Sequence, residues 1–563
     1  MLLVAITAVV LVVVANVLAR KVGVAGPLVL VGVGVAVSYI PAIPPISVEP
    51  DVILVGVLPP LLYSAAVSAP RIEFRRDSTA IGGLAVVLLI VSALALGLFF
   101  AWAVPGLGLA LGIALGAILS PTDAVATSIV KQQGAPRRVL AVLEGESLLN
   151  DATALVTLRT AIAAAAVGFS VLGTLGSFVW AVASAAVVGG VVGAAALRVR
   201  AWTRSATANT ALGLTVPYLA YLPTEALGGS GVVAAVAAGI VCGRGATRWL
   251  TAEQRISDKL NWRTIEFVLE GAVFLTMGLE LYGIVSSGHA VGGGLLDALW
   301  IAAAALVILI VVRAAYVFPM LGLHNGRVRR SVEKRLAARE KAMLAETEHR
   351  SRVLPTLGGR RDASAPQSIR RLRNDIDYYE ETTLSWKDRT IVVWAGMRGV
   401  VTLAAAQTLP EQAPERDLLV LVAFTVAAGS LMLQGLTLPA LVRRLSGPDA
   451  EHGSGDDVRL IHGDLHEVAR RAVELRTVAR PDATSFPQQL YRTPRTWFFE
   501  MGGARHDADP DALQFELALV RIMRDHLRTL TSSGQYDSGA AQYVFDELDA
   551  YEITLRLHLA GDG

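Results

Sequence analysis

The chain contains a single cysteine, Cys242, among 563 residues. One cysteine excludes an internal disulfide and a thiolate metal cluster. Charge is also scarce, at 17% against 53% hydrophobic residues, which places the chain among polytopic helical membrane proteins rather than soluble globular ones. The net charge of +2 carries no message of its own, because the charges are segregated by position. The nine histidines lie outside the long apolar runs or at their ends, which argues against an imidazole proton relay within a membrane. A metal-binding histidine pair, a nucleotide-cradling glycine loop and a nucleophile triad are all missing. The chain therefore reads as neither an enzyme nor a cofactor protein.

What it has in abundance is apolar sequence. Runs near the ~20 residues needed to cross a bilayer recur near 2–19, 22–40, 51–69, 79–104, 107–130, 139–167, 171–197, 207–223, 228–243, 264–285, 295–322, 389–409 and 416–442. That spacing predicts an all-α polytopic membrane protein of about thirteen transmembrane helices. The first run lacks a basic leader and an A-x-A site, so it reads as a retained span rather than a cleaved signal. Loop charge gives an independent check. Arg20/Lys21, Arg71/Arg75/Arg76, Arg137/Arg138, Arg198/Arg200/Arg204, Arg244/Arg248/Arg255, the basic 327–388 stretch and Arg443/Arg444 all follow odd-numbered spans. Loops after even-numbered spans have almost no Lys or Arg, Arg416 excepted. The positive-inside rule then puts the N-terminus outside and the C-terminus in the cytoplasm.

Two polar pieces interrupt or follow residues 1–445. The insert 323–388 is rich in both charge signs, which predicts a solvated cytoplasmic helix and a Pro/Gly/Ser-bearing connector rather than a nucleic-acid surface. Residues 446–563 begin with the linker SGPDAEHGSGDD and continue with helical stretches near 458–479, 511–531 and 540–559. Leu513, Leu517, Val520 and Leu527 recur at helical spacing, the mark of a small helical cytoplasmic domain, read as regulatory.

The chemistry concentrates where lipid belongs. ILSPTDAVATSIV and EGESLLNDATALV place Thr122, Asp123, Glu146, Ser147, Asn150 and Asp151 inside spans. A carboxylate there costs roughly 2.5–3.5 kcal/mol on insertion scales, so such groups face a cavity and carry function. Pro121 removes a backbone donor and predicts a break near Thr122, leaving carbonyls beside a hydroxyl and a carboxylate, an oxygen set suited to a small hard cation. On one helix Ser147 and Asp151 share a face, and Glu146 and Asn150 share the adjacent one. One carboxylate can then bind an ion or proton while another sits in an ion pair. The alternative, interhelical hydrogen-bond glue, fits Asn150 better than Asp151. Arg159, Arg313 and Arg398 are the bases within spans, and each needs a partner or a wet route. Arg398, flanked by Gly396 and Gly399, which allow close helix approach and a local break, is the leading partner for Glu146, with Arg313 second.

SPTDAVA, GESLLNDATALV, LPPLLYSAAV, WAGMRGVVTLA and QGLTLPALVRRL together resemble the monovalent cation:proton antiporter-1 family, the NhaP-type and eukaryotic sodium/proton exchangers, in order over about residues 1–445. The resemblance implies inverted repeats, a homodimer and elevator-like alternating access. In it a mobile core holds the fifth, sixth and eleventh-to-thirteenth spans. It further implies that Asp151 carries ion and proton, that Thr122, Asp123 and Ser147 complete a monovalent cation site, and that Glu146 and Arg398 form a structural ion pair. Asn150 marks the Asn-Asp form associated with electroneutral exchange.

Two positions depart from the pattern. Tyr63-Ser64 stands where members often have a glutamate, and Glu270 stands where many are neutral, so Glu270 is either a second titrating group or an interfacial acid. The expected partners are the transported Na+ (or Li+, K+) and H+, membrane lipid of the plasma membrane, and a second copy, with no nucleic acid. A K+/H+ antiporter, a cation channel and a tail-signalling sensor are the rival readings. Against the channel, no TVGYG-like filter is present.

Overall fold

The computed structural model describes all residues except 1, 23–24, 41–47, 168–170, 204, 290–293, 354–366, 447–451, 481, 483, 492–508 and 562–563. Among the described residues the chain is helical, with one isolated bridge between Ala479 and Ser485 and no strand. In chain order the helices are α1 (Leu2–Val22), α2 (Gly26–Ser38), α3 (Val52–Ser68), α4 (Arg71–Arg76), α5 (Ser78–Ala103), α6 (Gly108–Leu119), α7 (Ala124–Gln132) and α8 (Arg137–Val167). They continue as α9 (Val171–Trp202), α10 (Ala206–Ala226), α11 (Gly231–Trp249), α12 (Ala252–His289), α13 (Gly294–Val353) and α14 (Gln367–Glu381). The chain closes with α15 (Trp386–Trp394), α16 (Val400–Gln407), α17 (Arg416–Leu445), α18 (His452–Glu474), α19 (Pro510–Ser533) and α20 (Ser538–Gly561).

Each apolar run of the sequence falls on a helix or on a helix broken in the middle. Among the described residues five stretches are long and apolar enough to cross a membrane by themselves: α5, the α6–α7 pair, most of α9, the apolar part of α13, and α17. Thirteen crossings therefore remain a sequence expectation. Arg204 and the Pro/Gly/Ser connector at 354–366 lie outside the described residues, as does most of the start of the tail linker. The insert differs from expectation in one respect. Its first helix is not separate but continues α13 without interruption, since no proline or glycine stop lies between Gly326 and Val353.

Local chemistry explains the irregular helices. In α3, residues Val52–Val57 form a π turn before Pro59 and Pro60. Pro60 has no N–H for the carbonyl of Gly56, four residues earlier. The Tyr218 hydroxyl donates to that oxygen at 2.6 Å, so the freed acceptor is satisfied inside the bundle. Small residues bring other helices to backbone contact. A Cβ on Gly112 of α6 would sit 2.6 Å from the Gly97 carbonyl of α5, and one on Gly239 of α11 would sit 2.6 Å from the Tyr63 carbonyl of α3.

The basic loops meet at one end of the bundle, as their alternation requires. There Arg138 at the start of α8 binds Asp77 through Nη2 at 2.6 Å and Nε at 3.0 Å, and both residues are fully buried. Arg138 also donates to the Thr382 carbonyl at 2.7 Å, and the Tyr378 hydroxyl donates to Asp77 at 3.0 Å. The insert helix α14 thereby locks onto α5 and α8. The tail forms its own three-helix core, with Leu465, Phe515, Leu527 and Val544 among its buried residues. Asp509 caps α19, and Gly534, at φ 71, ends it in the left-handed region. The first tail helix ends at Glu474, short of the expected 479, where Arg476 turns at φ 53.

Replacing Asp77 by Asn leaves Arg138 buried without a counter-charge. The expected loss is about 3–5 kcal/mol of stability, measured as a lowered thermal midpoint of the purified protein in detergent.

Candidate functional site

Two helix breaks cross at the centre of the bundle. The first runs from Ser120 to Asp123 between α6 and α7, where Pro121 predicts it; the second runs from Ala395 to Gly399 between α15 and α16. They are joined by a hydrogen bond from the Asp123 N–H to the Met397 carbonyl, 2.8 Å. A Cβ at position 399 would overlap the Asp123 side chain as it stands, so glycine lets the two unwound segments cross this closely. Asp123 also caps α7, its Oδ1 accepting from the Val125 N–H at 3.1 Å, which sets a carboxylate against the positive end of a half-helix.

α8 passes beside the crossing and contributes the second group of oxygens. Asn150 donates to the Thr122 hydroxyl at 2.8 Å and to the Thr122 carbonyl at 3.4 Å, and the same hydroxyl donates to Glu146 Oε1 at 3.4 Å. Asn150 thus reads as the strut that fixes the unwound segment to α8. Asp151 is half-buried, and among the described residues its carboxylate has no hydrogen bond or ion pair. Asp123 is the charged group that acts on it. Ser147 lies buried one turn before Asp151 on the same helix. Glu270, on α12, is within electrostatic reach of Asp123. Tyr63, by contrast, is buried against Trp262 with ring centroids 5.2 Å apart, and belongs to the α3–α9–α11 core rather than to the crossing.

The expected Glu146–Arg398 ion pair is corrected by the structure. Glu146 is held by Arg313 of α13 in a bidentate pair, Nη1 to Oε1 at 2.5 Å and Nη2 to Oε2 at 2.7 Å, with both side chains buried. Arg398 is occupied elsewhere. Its Nε donates to the Leu119 carbonyl at 2.9 Å, its Nη1 donates to the Gly396 carbonyl, and its backbone N–H donates to Ser430 Oγ at 2.9 Å. Leu119 and Gly396 lie at the C-terminal ends of two half-helices, where orphaned carbonyls concentrate negative partial charge. Arg398 is therefore the cap of the two breaks, and Arg313 the counter-ion. Leu84, Leu88, Leu89, Ser92, Ser120, Glu146, Asn150, Arg313 and Arg398 enclose a small cavity behind the crossing. Arg159, the third base within the spans, pairs with Glu225 of α10 at 2.7 Å and is half-exposed.

One contact escaped the sequence reading altogether. Glu280 of α12 accepts from Gln407 Nε2 at 2.9 Å and from the Val48 N–H at 3.0 Å, tying α12 to α16 at the end opposite the basic loops. Glu266, Glu270 and Glu280 share one face of α12 at spacings of four and ten residues. That periodicity was the available signal.

A double-mutant cycle separates the two arginines. Glu146→Gln and Arg313→Ala should show a coupling of about 1–3 kcal/mol in unfolding free energy, and Glu146→Gln with Arg398→Ala a clearly smaller one.

Known proteins resemble this chain over most of its length. The family described as "Sodium/hydrogen exchanger, transmembrane" matches residues 6–444. An uncharacterized Na+/H+ exchanger of Escherichia coli, YjcE, is 27% identical over 545 residues, covering 91% of this chain and 90% of its own length. The Na+/H+ antiporter ApNhaP of Aphanothece halophytica is 25% identical over 424 residues, 74% of this chain and 68% of that protein. A Bacillus pumilus protein named as a sodium, potassium, lithium and rubidium/H+ antiporter is 33% identical over 264 residues, 45% of this chain and 39% of its own. Among solved structures, the sodium proton antiporter MjNhaP1 of Methanocaldococcus jannaschii at pH 8 has the same fold, with a TM-score of 0.56 at 16% identity over 79% of this chain and 99% of that one. With the family matched across most of its length and two broken helices crossing beside a half-buried carboxylate pair, the chain belongs to the sodium/hydrogen exchanger family of multi-pass membrane transporters.

Proposed function

We propose that the protein is a secondary antiporter that exchanges Na+ for H+ with ion and proton competing for Asp151. The observation that carries this reading is a half-buried carboxylate that has no hydrogen-bond or ion-pair partner among the described residues, beside a second carboxylate and two unwound backbone segments. A deprotonated Asp151 attracts a monovalent cation, with Asp123, Thr122 and Ser147 offering further oxygens. A protonated Asp151 releases it. Because either occupant excludes the other, the fluxes couple without a separate gate. Asn150, one residue before Asp151, is neutral, so one carboxylate turns over per cycle there and exchange is electroneutral. Glu146 keeps its charge balanced by Arg313 and serves as a structural strut.

The cycle is an elevator in which a core containing spans five, six and eleven to thirteen (α6–α8, the apolar part of α13, and α15–α17), with α4 and α5 carried along through the Asp77–Arg138 pair, moves against the remaining helices. The active form is a homodimer in the plasma membrane, with the N-terminus outside and the basic end, the insert and the tail in the cytoplasm. Residues 1–445 form the transport domain and 446–563 a separate regulatory domain. A K+/H+ reading has one observation in its favour, the breadth of cations in the name of the Bacillus pumilus relative.

Liposomes loaded with a pH-sensitive dye provide the test. Addition of Na+ should collapse an imposed proton gradient with the wild type and not with Asp151→Asn; exchange that persists in Asp151→Asn rejects the assignment. A series of Na+, Li+ and K+ additions in the same assay assigns the cation.

A further inference from the structure

The tail is fastened to two separate parts of the transport domain. On one side it meets the corner made by α4 and α8. The Ser538 N–H donates to Glu73 Oε1 at 3.1 Å, Arg137 pairs with Asp537 at 3.1 Å and Asp457 at 3.3 Å, and Arg76 donates to the Gly534 carbonyl at 2.9 Å. The Arg138–Asp77 pair makes that corner one body with α5 and α8. On the other side the tail meets α11 and α12. Arg255 grips Asp549 with Nε–Oδ2 at 2.8 Å and Nη2–Oδ1 at 2.5 Å, Lys259 pairs with Asp546, and Arg528 donates to the Thr247 carbonyl. Asp549 is itself buried and held from within the tail by Arg524 at 2.7 Å, so the Arg255 contact reaches the domain's interior rather than a mobile rim.

This geometry sets a mechanical condition. α8 carries Asp151, and α12 lies outside the set of helices that moves in the elevator reading. A three-helix domain with its own core cannot follow both at once. We infer that the tail domain is an inhibitory clamp across the moving and stationary parts of the exchanger, and that the Glu73–Asp537 contact makes its grip depend on protons. The inference rests on the exchange reading above.

Glu73 is 4% exposed, and its Oε2 has no hydrogen-bond partner. The groups that face it are Asp537 just before α20, Ser538 at its start, Glu144 from α8 and Tyr378 from α14. Arg137 is engaged by Asp537 and Asp457, and Arg138 by Asp77, so neither is free to neutralise Glu73. Burial and the Asp537 carboxylate hold its pKa above the usual carboxylate range while the tail is docked. Undocking exposes Glu73 to water and returns it toward its ordinary value. The docked pKa is the raised one, so docking is strongest below the ordinary carboxylate range and weakens as pH rises through the docked value. The clamp therefore tightens as pH falls and loosens as pH rises through the docked value.

The test uses the full chain carrying Cys242→Ala. With Lys259→Cys and Asp546→Cys added, oxidation should lower exchange in liposomes by roughly fivefold or more and reduction should restore it, the range expected of a coupling between sites. Arg255→Ala with Lys259→Ala should raise exchange at acidic pH. Glu73→Gln, which mimics the protonated acid, should hold exchange low at alkaline pH until combined with that release pair. Spin labels at Leu260→Cys and Gln542→Cys report docking without transport: their separation should grow with pH, and stay short in Glu73→Gln. Unchanged exchange after the crosslink, or a label distance indifferent to pH, overturns the inference. A wild type that moves no ions while its label distance still follows pH overturns the exchange reading instead.

Discussion

A backbone that unwinds inside a membrane must find partners for its polar groups within the protein, because lipid offers none. The core of this chain is organised around that requirement at two places, residues 120–123 and 395–399. The crossing satisfies part of it internally through the Asp123 N–H and the Met397 carbonyl. Arg398 satisfies the rest by donating to Leu119 and Gly396, the carbonyl ends of the half-helices that stop there. Asn150 then pins the unwound Thr122 to α8. Only with these contacts made do the breaks become a stable scaffold, and only then does Asp151 stand beside Asp123 with its oxygens uncommitted. The free carboxylate is a consequence of how thoroughly its neighbours are engaged.

The same logic sorts the charges. Taking an isolated guanidinium or carboxylate out of water costs several kcal/mol, and the structure leaves neither Glu146 nor Arg313 isolated: each is bidentate to the other, with the Arg313 Nε also donating to the Val392 carbonyl at 3.1 Å. Such a pair does little for net stability relative to an apolar contact, but it fixes the rotation of α13 against α8 and so the direction in which Asp151 points. At the basic end Arg138 and Asp77 do the corresponding work for α5, α8 and the insert helix α14. The tail joins this frame through further charged contacts, which connects the candidate site to residues 446–563.

Much of this was legible in the residues. Pro121 announced the first break, the helical spacing of Glu146, Ser147, Asn150 and Asp151 placed them on one helix, and the alternation of basic loops foretold which loops would meet. Arg398 was legible as important but not in its role. Its flanking glycines signalled a break, yet nothing in a linear sequence says whether a guanidinium will turn to a carboxylate or to the carbonyls the break releases. The unbroken run of α13 into the insert, the Glu280–Gln407–Val48 contact and the two-sided docking of the tail were likewise out of reach, since each joins residues more than a hundred positions apart or depends on a missing stop signal.

The sequence by itself determined the class of protein, the places where helices break and the carboxylate proposed to bear the chemistry, because apolar length, proline and the cost of burying charge act locally and leave marks at known spacings. The tertiary structure alone decided which arginine balances Glu146, which oxygens remain unclaimed and where the tail takes hold. Those outcomes depend on how helices far apart in the chain rotate against one another, and on a competition among acceptors that exists only once they have packed.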